Sequence, residues 1–156
     1  IKIKNPRTIN GEPLGDILTM SSRLIGAHIG GAIIPRLIDE IPVIAVMAAF
    51  ASGKTIISGS AELRVKETDR IKTVVENLKR IGAAVEEKKD GMVIYGNAGK
   101  PFKHAGIDSY GDHRIAMSFS VASLVSESGI LIRGTECVNT SFPGFFGILQ
   151  SLGGAK

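Results

Sequence analysis

From Ile71 onward the apolar residues Ile71, Val74, Val75, Leu78 and Ile81 recur at intervals of three and four, with Lys72, Glu76, Lys79 and Arg80 between them. That spacing predicts an amphipathic helix with one buried stripe and one wet face. An earlier segment, EIPVIAVMAAFAS, is apolar nearly all round and predicts a helix buried between layers. It is expected to be capped by Asp39, to carry Pro42 in its first turn and to run to Ser52, with Gly53 as the stop. A third helix is expected from a cap at Asp112 through about Ser126, and a last one from about Phe142 to Leu152. Alternating or β-branched runs predict strands in IKIKN, DILTMSS, LIGAHIGG, KTIIS (54–58) and GILIRG, and AVEEKKDGMVIYG reads as a hairpin turning at Asp90-Gly91.

These elements recur. IDEIPVIAVMAAFASGKTIISG followed by LKRIGA matches GDHRIAMSFSVASLVSESGILIRG followed by LQSLGGA in the order of capping Asp, buried small-residue helix, strand ending in Gly, and amphipathic helix. The offset is roughly 70 to 75 residues, longer than a solenoid repeat and suited to a duplicated unit. The expectation is a single domain of the α/β (α+β) class built from two βαβαββ units, approximately 1–83 and 84–156, with parallel buried helices packed on sheets.

Composition narrows the classes. With 44% hydrophobic residues in 156, the chain can bury a core; 19 Lys+Arg against 15 Asp+Glu give a net charge of +4, compatible with small anions as well as nucleic acid. Aromatics are only 5% and do not interleave with basic residues, which argues against a stacking platform for nucleic acid. The apolar run Ile41–Ala51 is far shorter than the roughly 20 residues of a membrane span. The one cysteine, Cys137, reads as a packing residue in a reducing compartment, and no zinc-type spacing occurs. The opening IKIKNPRTINGEP has no apolar leader, and the start at Ile1 without a methionine suggests a piece of a longer cytoplasmic protein.

The charged residues fall on helix starts. Asp39 and Glu40 open one helix, Lys66, Glu67 and Arg70 flank the start of the next, and Asp112, His113 and Arg114 open the third. Cations cost a helix stability at its positive end, by a few tenths of a kcal/mol each. If the helices run parallel, the three starts meet on one edge, where Arg70 and Arg114 can grip carboxylate or phosphate, and Lys66 can hold phosphate as a point charge. Asp39, Glu67 and His113 among them are candidates for general acid or base. Each residue also has an ordinary reading: Asp39 as a cap, His113 as a satisfied histidine, KETDR as a solvated helix start. Their joint placement favours a ligand site.

The segments ELRVKETDRI, GDHRIAMSFSVASL, IPRLIDEIPVIAVMAAF and TSFPGFF resemble the C-terminal part of the 5-enolpyruvylshikimate-3-phosphate synthase family over essentially the whole chain. The resemblance implies two domains of βαβαββ units whose parallel helices point at an interdomain cleft. It implies transfer of the enolpyruvyl group of phosphoenolpyruvate to the 5-hydroxyl of shikimate 3-phosphate, with release of phosphate and no metal or organic cofactor. On that resemblance Asp39 contacts the shikimate hydroxyls and takes the 5-hydroxyl proton, and Glu67 exchanges a proton with the phosphoenolpyruvate methylene carbon. Lys66 lies near shikimate 3-phosphate, Arg70 and Arg114 grip phosphoenolpyruvate, and His113 supports Glu67. Where many relatives carry a lysine before the TSFP-like block, this chain has Asn139 and Thr140. The family's N-terminal half is absent, so the expected partner is that missing domain, and the chain alone is expected to fold but to be nearly inactive. The alternatives are the sister transferase acting on UDP-N-acetylglucosamine, which RVKETDR disfavours, and a non-catalytic anion- or RNA-binding module.

Overall fold

A computed structural model describes residues 1–154. Strands β1 (Lys2–Ile9) and β2 (Glu12–Leu18) form an antiparallel hairpin that turns at Asn10 and Gly11, whose φ of 52° and 83° are those of a type I′ turn. The hairpin pairs only with itself, and its apolar residues Ile3 and Ile17 stay about 70% exposed.

The body begins at β3 (His28–Ile29), followed by the one-turn helix α1 (Ile34–Leu37) and by α2 (Ile41–Phe50). Strand β4 (Lys54–Ile57) lies parallel to β3, which requires a crossover, and α2 supplies it. A 3₁₀ turn over Ala61–Val65 leads to α3 (Arg70–Arg80), and the hairpin of β5 (Ala84–Lys88) and β6 (Gly91–Tyr95) closes the sheet in the order β3-β4-β6-β5. A second parallel pair, β7 (Ala105–Asp108) and β8 (Ile130–Arg133), is joined across α4 (His113–Ser123). The chain continues through α5 (Cys137–Ser141) and α6 (Phe145–Leu149) to a π-helical turn at Gln150–Gly154. No helix among the described residues is long and apolar enough to cross a membrane.

The stripe expected of α3 is its buried face: Ile71, Val74, Val75 and Leu78 are all at or below 2% exposure. Burying each such side chain contributes about 1.5–3 kcal/mol. The nearly uniform apolarity of α2 has its reason in position, since the helix packs against α3, α4 and β6. Small buried residues on α2 (Ala45, Ala48, Ala49) and on α4 (Ala116, Ala122) permit close helix packing. The buried hydroxyls of Ser118 and Ser120 donate to the carbonyls of Arg114 and Ala116 at 2.6 and 2.8 Å, so α4 hides polar groups without leaving them unpaired.

Several boundaries differ from the sequence expectation. Helix α2 ends at Phe50 and α4 at Ser123, short of Ser52 and Ser126. The last helix starts at Phe145 in place of Phe142, because Phe142 precedes Pro143 and is pushed out of the helical region (φ −144°, ψ 77°), and Gly144 follows in the left-handed conformation at φ 84°; the short α5 before it was not expected. The strand at Ala105–Asp108 had no alternating signal; its pairing with β8 buries only Ile107 fully. LIGAHIGG contributes just two strand residues plus an isolated bridge from Ile25 to Ser52.

The β5–β6 turn sits at Lys89-Asp90, one residue earlier than expected, with Lys88 opposite Gly91. Gly91 is needed for a close approach: a Cβ there would lie 2.0 Å from the carbonyl oxygen of Ile57 in β4. Gly91→Ala is therefore expected to force β4 and β6 apart and to cost about 1–3 kcal/mol. Urea unfolding followed by circular dichroism measures this, and a change below about 0.5 kcal/mol would show that the strands accommodate the methyl.

Candidate functional site

The segment between β4 and α3 is fastened to the β5–β6 hairpin by Arg64. Its Nε and Nη2 donate to the carbonyls of Lys89 and Lys88 at 2.8 and 2.6 Å, and Nη1 donates to Asp69 Oδ2 at 2.8 Å and approaches Glu87 Oε1 at 2.9 Å. The hydrogen bond to Asp69 leads the influences that hold the guanidinium above its ordinary pKa. Asp69 caps α3, accepting from the Lys72 N–H at 3.0 Å. The hairpin turn is fixed in its own way, with Asp90 Oδ2 accepting from the Gly59 N–H at 2.8 Å. Two anchors thus hold the loop that presents Lys66, Glu67 and Thr68.

The starts of α2, α3 and α4 meet at Arg70, which is 1% exposed. Its Nε donates to Asp112 Oδ2 at 2.7 Å, Nη1 to Asp39 Oδ1 at 3.0 Å, and Nη2 to Glu67 Oε2 at 2.6 Å. Burial disfavours the charged guanidinium, but the hydrogen bond and charge of Asp112, followed by Glu67 and Asp39, outweigh it and hold the pKa above its ordinary value.

Asp112 is fully buried. It caps α4 by accepting from the Arg114 and Ile115 N–H groups at 2.8 and 3.4 Å, and its Oδ2 also receives the Thr68 hydroxyl at 3.2 Å. One carboxylate therefore satisfies a helix start, a buried cation and a loop hydroxyl. Sequence reading had given Asp112 only the first of these tasks. Its pairing with Arg70 spans 42 residues, and no local pattern announces it.

The expected cap at Asp39 is not made. Glu40 holds the N-cap position of α2 without a side-chain cap bond. Asp39 instead lies between two cations, with Oδ2 3.7 Å from Arg114 Nη2 while Oδ1 accepts from Arg70. Glu40, placed by sequence at the helix start but not among the site residues, accepts from Arg114 Nη1 at 3.3 Å.

The structure thus brings Asp39, Glu67, Arg70 and Arg114 together, as the helix-start argument expected. The cations expected to stand ready for an anion are not free, because Lys66, Arg70 and Arg114 each have a carboxylate partner. Lys66 Nζ pairs with Glu62 Oε1 at 2.5 Å, and that hydrogen bond raises its pKa. His113, the first residue of α4, is half-buried and takes no part in the ion-pair network among the described residues. Asn139 and Thr140 are exposed on α5. Among the described residues no group of three or more His, Cys, Asp or Glu side chains is placed to hold a metal ion.

Chemically, half-exposed Asp39 and Glu67 beside cations can move protons, and Arg114, a third exposed, can meet an anion.

Comparison with known proteins gives the context. The family described as EPSP synthase (3-phosphoshikimate 1-carboxyvinyltransferase) matches residues 4–149. A 3-phosphoshikimate 1-carboxyvinyltransferase of Thermoanaerobacter sp. strain X514 is 52% identical over 146 residues, 94% of this chain and 34% of that protein. One of Syntrophotalea carbinolica is 50% identical over 152 residues, 97% of this chain and 35% of that protein. A solved EPSP synthase of Acinetobacter baumannii superposes with a TM-score of 0.91 at 42% identity, over 96% of this chain and 35% of its own. The chain spans about a third of the length of the curated relatives it matches.

Proposed function

The chain belongs to the EPSP synthase (3-phosphoshikimate 1-carboxyvinyltransferase) family, and from that premise we propose that it forms one wall of a cleft. In this cleft the enolpyruvyl group of phosphoenolpyruvate passes to the 5-hydroxyl of shikimate 3-phosphate. The observation that carries this reading is the meeting of two half-exposed carboxylates, Asp39 and Glu67, with Arg70 and Arg114 at three helix starts.

Addition and elimination need these groups. Glu67 protonates the methylene carbon, the adjacent carbon becomes electron-poor, and the 5-hydroxyl oxygen bonds to it as Asp39 takes the hydroxyl proton. In the second stage Glu67 withdraws a proton from the new methyl group, the enol double bond re-forms, and the carbon–oxygen bond to phosphate breaks. Arg114 and Lys66 stabilise the charge on the anionic groups. Arg70 acts from below, holding both carboxylates; its burial at 1% exposure supports a supporting role in place of the direct grip on phosphoenolpyruvate that the resemblance implied. His113 is assigned to support Glu67 from the start of α4. No cofactor enters this scheme.

We assign the chain to part of a single domain in which the β3–β6 segment forms one βαβαββ unit. Among the described residues the stretch from β7 to α6 forms a second, βαβα-like unit. The opposing wall and the remaining contacts to shikimate 3-phosphate belong to the partner, a missing N-terminal portion.

The test is phosphate release from phosphoenolpyruvate and shikimate 3-phosphate, by the chain alone and after mixing with the N-terminal portion of a relative. Release only in the mixture is expected. Turnover by the chain alone overturns the split cleft, and silence in both, with no ligand binding, overturns the assignment. UDP-N-acetylglucosamine as acceptor should give no release.

A further inference from the structure

Arg70 and Arg114 both stand in the first turn of a helix, yet carboxylates hold them differently. Each nitrogen of Arg70 donates to a carboxylate at 2.6–3.0 Å, and the side chain is closed off from solvent. Arg114 has 34% of its side chain exposed, and its contacts are looser, 3.3 Å to Glu40 and 3.7 Å to Asp39. The cation free to exchange partners is Arg114.

Glu40 breaks a local rule. It occupies the N-cap of α2 and makes no cap bond, so the helix forgoes a stabilisation of the kind a capping side chain gives. Its carboxylate reaches across 74 residues of sequence to Arg114 instead. Around the two arginines lie four carboxylates, those of Asp39, Glu40, Glu67 and Asp112, so an incoming anion meets like charge unless one of them yields. Asp112 is buried, and Asp39 and Glu67 are tied to Arg70; Glu40 has no other partner among the described residues.

We propose that Glu40 is a positioning residue that holds the Arg114 guanidinium against the start of α2 until a phosphate- or carboxylate-bearing ligand displaces it. A paired guanidinium–anion contact at about 2.7–2.9 Å outcompetes a single contact of 3.3 Å. The exchange restrains Arg114 while the site is empty and lowers affinity for the anion. It rests on reading this edge as an anion site.

The experiment compares the full chain with Glu40→Gln, Arg114→Gln and the double variant. Without ligand, NMR relaxation of the Arg114 Nε–H group should show greater mobility in Glu40→Gln. Calorimetric titration with inorganic phosphate and with phosphoenolpyruvate, at fixed low ionic strength, should show binding about two- to fivefold tighter in Glu40→Gln. The gain should vanish in the Arg114→Gln background. Equal Arg114 mobility in wild type and Glu40→Gln overturns the restraint. Unchanged affinity, or tightening that persists without Arg114, overturns the exchange. If neither anion binds wild type or Glu40→Gln, the anion-site reading falls and the exchange with it, whereas the mobility result still reports on Glu40 alone.

Discussion

Arg70→Met is expected to destabilise the chain by about 3–5 kcal/mol, a large part of the roughly 5–15 kcal/mol by which an ordinary domain is stable. The cost comes from what is left behind. Asp112, at zero exposure, would keep its two helix-cap donors and lose the cation that neutralises it, while Asp39 and Glu67 would face it without a shared partner. Urea unfolding gives the number. The double variant Arg70→Met, Asp112→Asn should recover part of the loss, because asparagine still accepts from the Arg114 N–H and carries no charge. A loss below about 1 kcal/mol for Arg70→Met would mean that water reaches Asp112 and that the pair is not buried in solution.

Glu67→Gln should lower turnover about 10²- to 10⁴-fold in the assembled cleft while leaving the fold in place. An amide oxygen can still accept from Arg70 Nη2, now 2.6 Å from the carboxylate, so the loop keeps its anchor. What disappears is a group able to give and take the proton at the methylene carbon. Phosphate release in the reconstituted mixture, together with titration of both substrates, separates the two effects. Retained binding with lost turnover is the expected outcome. Turnover within threefold of wild type would remove Glu67 from the chemistry and pass the proton transfer to Asp39 or His113.

What the sequence made legible followed local periodicity. The stripe of α3, the buried character of α2 and α4, strands β4 and β8, and the cap at Asp112 are all written within a dozen residues. The convergence of three helix starts was readable because the charges cluster at successive starts. An Asp before a helix is ordinarily a cap, but the cap expected at Asp39 fails because a guanidinium arriving from α3 turns it away. The Arg114 contact of Glu40 and the second task of Asp112 were missed for the same cause. The late start of the last helix was legible in principle, since Pro143 follows Phe142 and Gly144 follows Pro143, but the apolar run through Leu149 masked it. Strand β7 carried no pattern of its own.

The ion-pair cluster also bears on how long the native state lasts. Apart from Arg70–Glu67, three positions apart, its bonds join residues 31, 42 and 74 positions apart, so they cannot form before large loops close. The helices and the β5–β6 hairpin can build from neighbouring residues, but the cluster needs α2, α3 and α4 already docked. It therefore belongs on the native side of the folding barrier. Substitutions in it should leave the folding rate nearly unchanged and shorten the lifetime of the folded chain, so the contacts that join the three helix starts also guard against spontaneous opening.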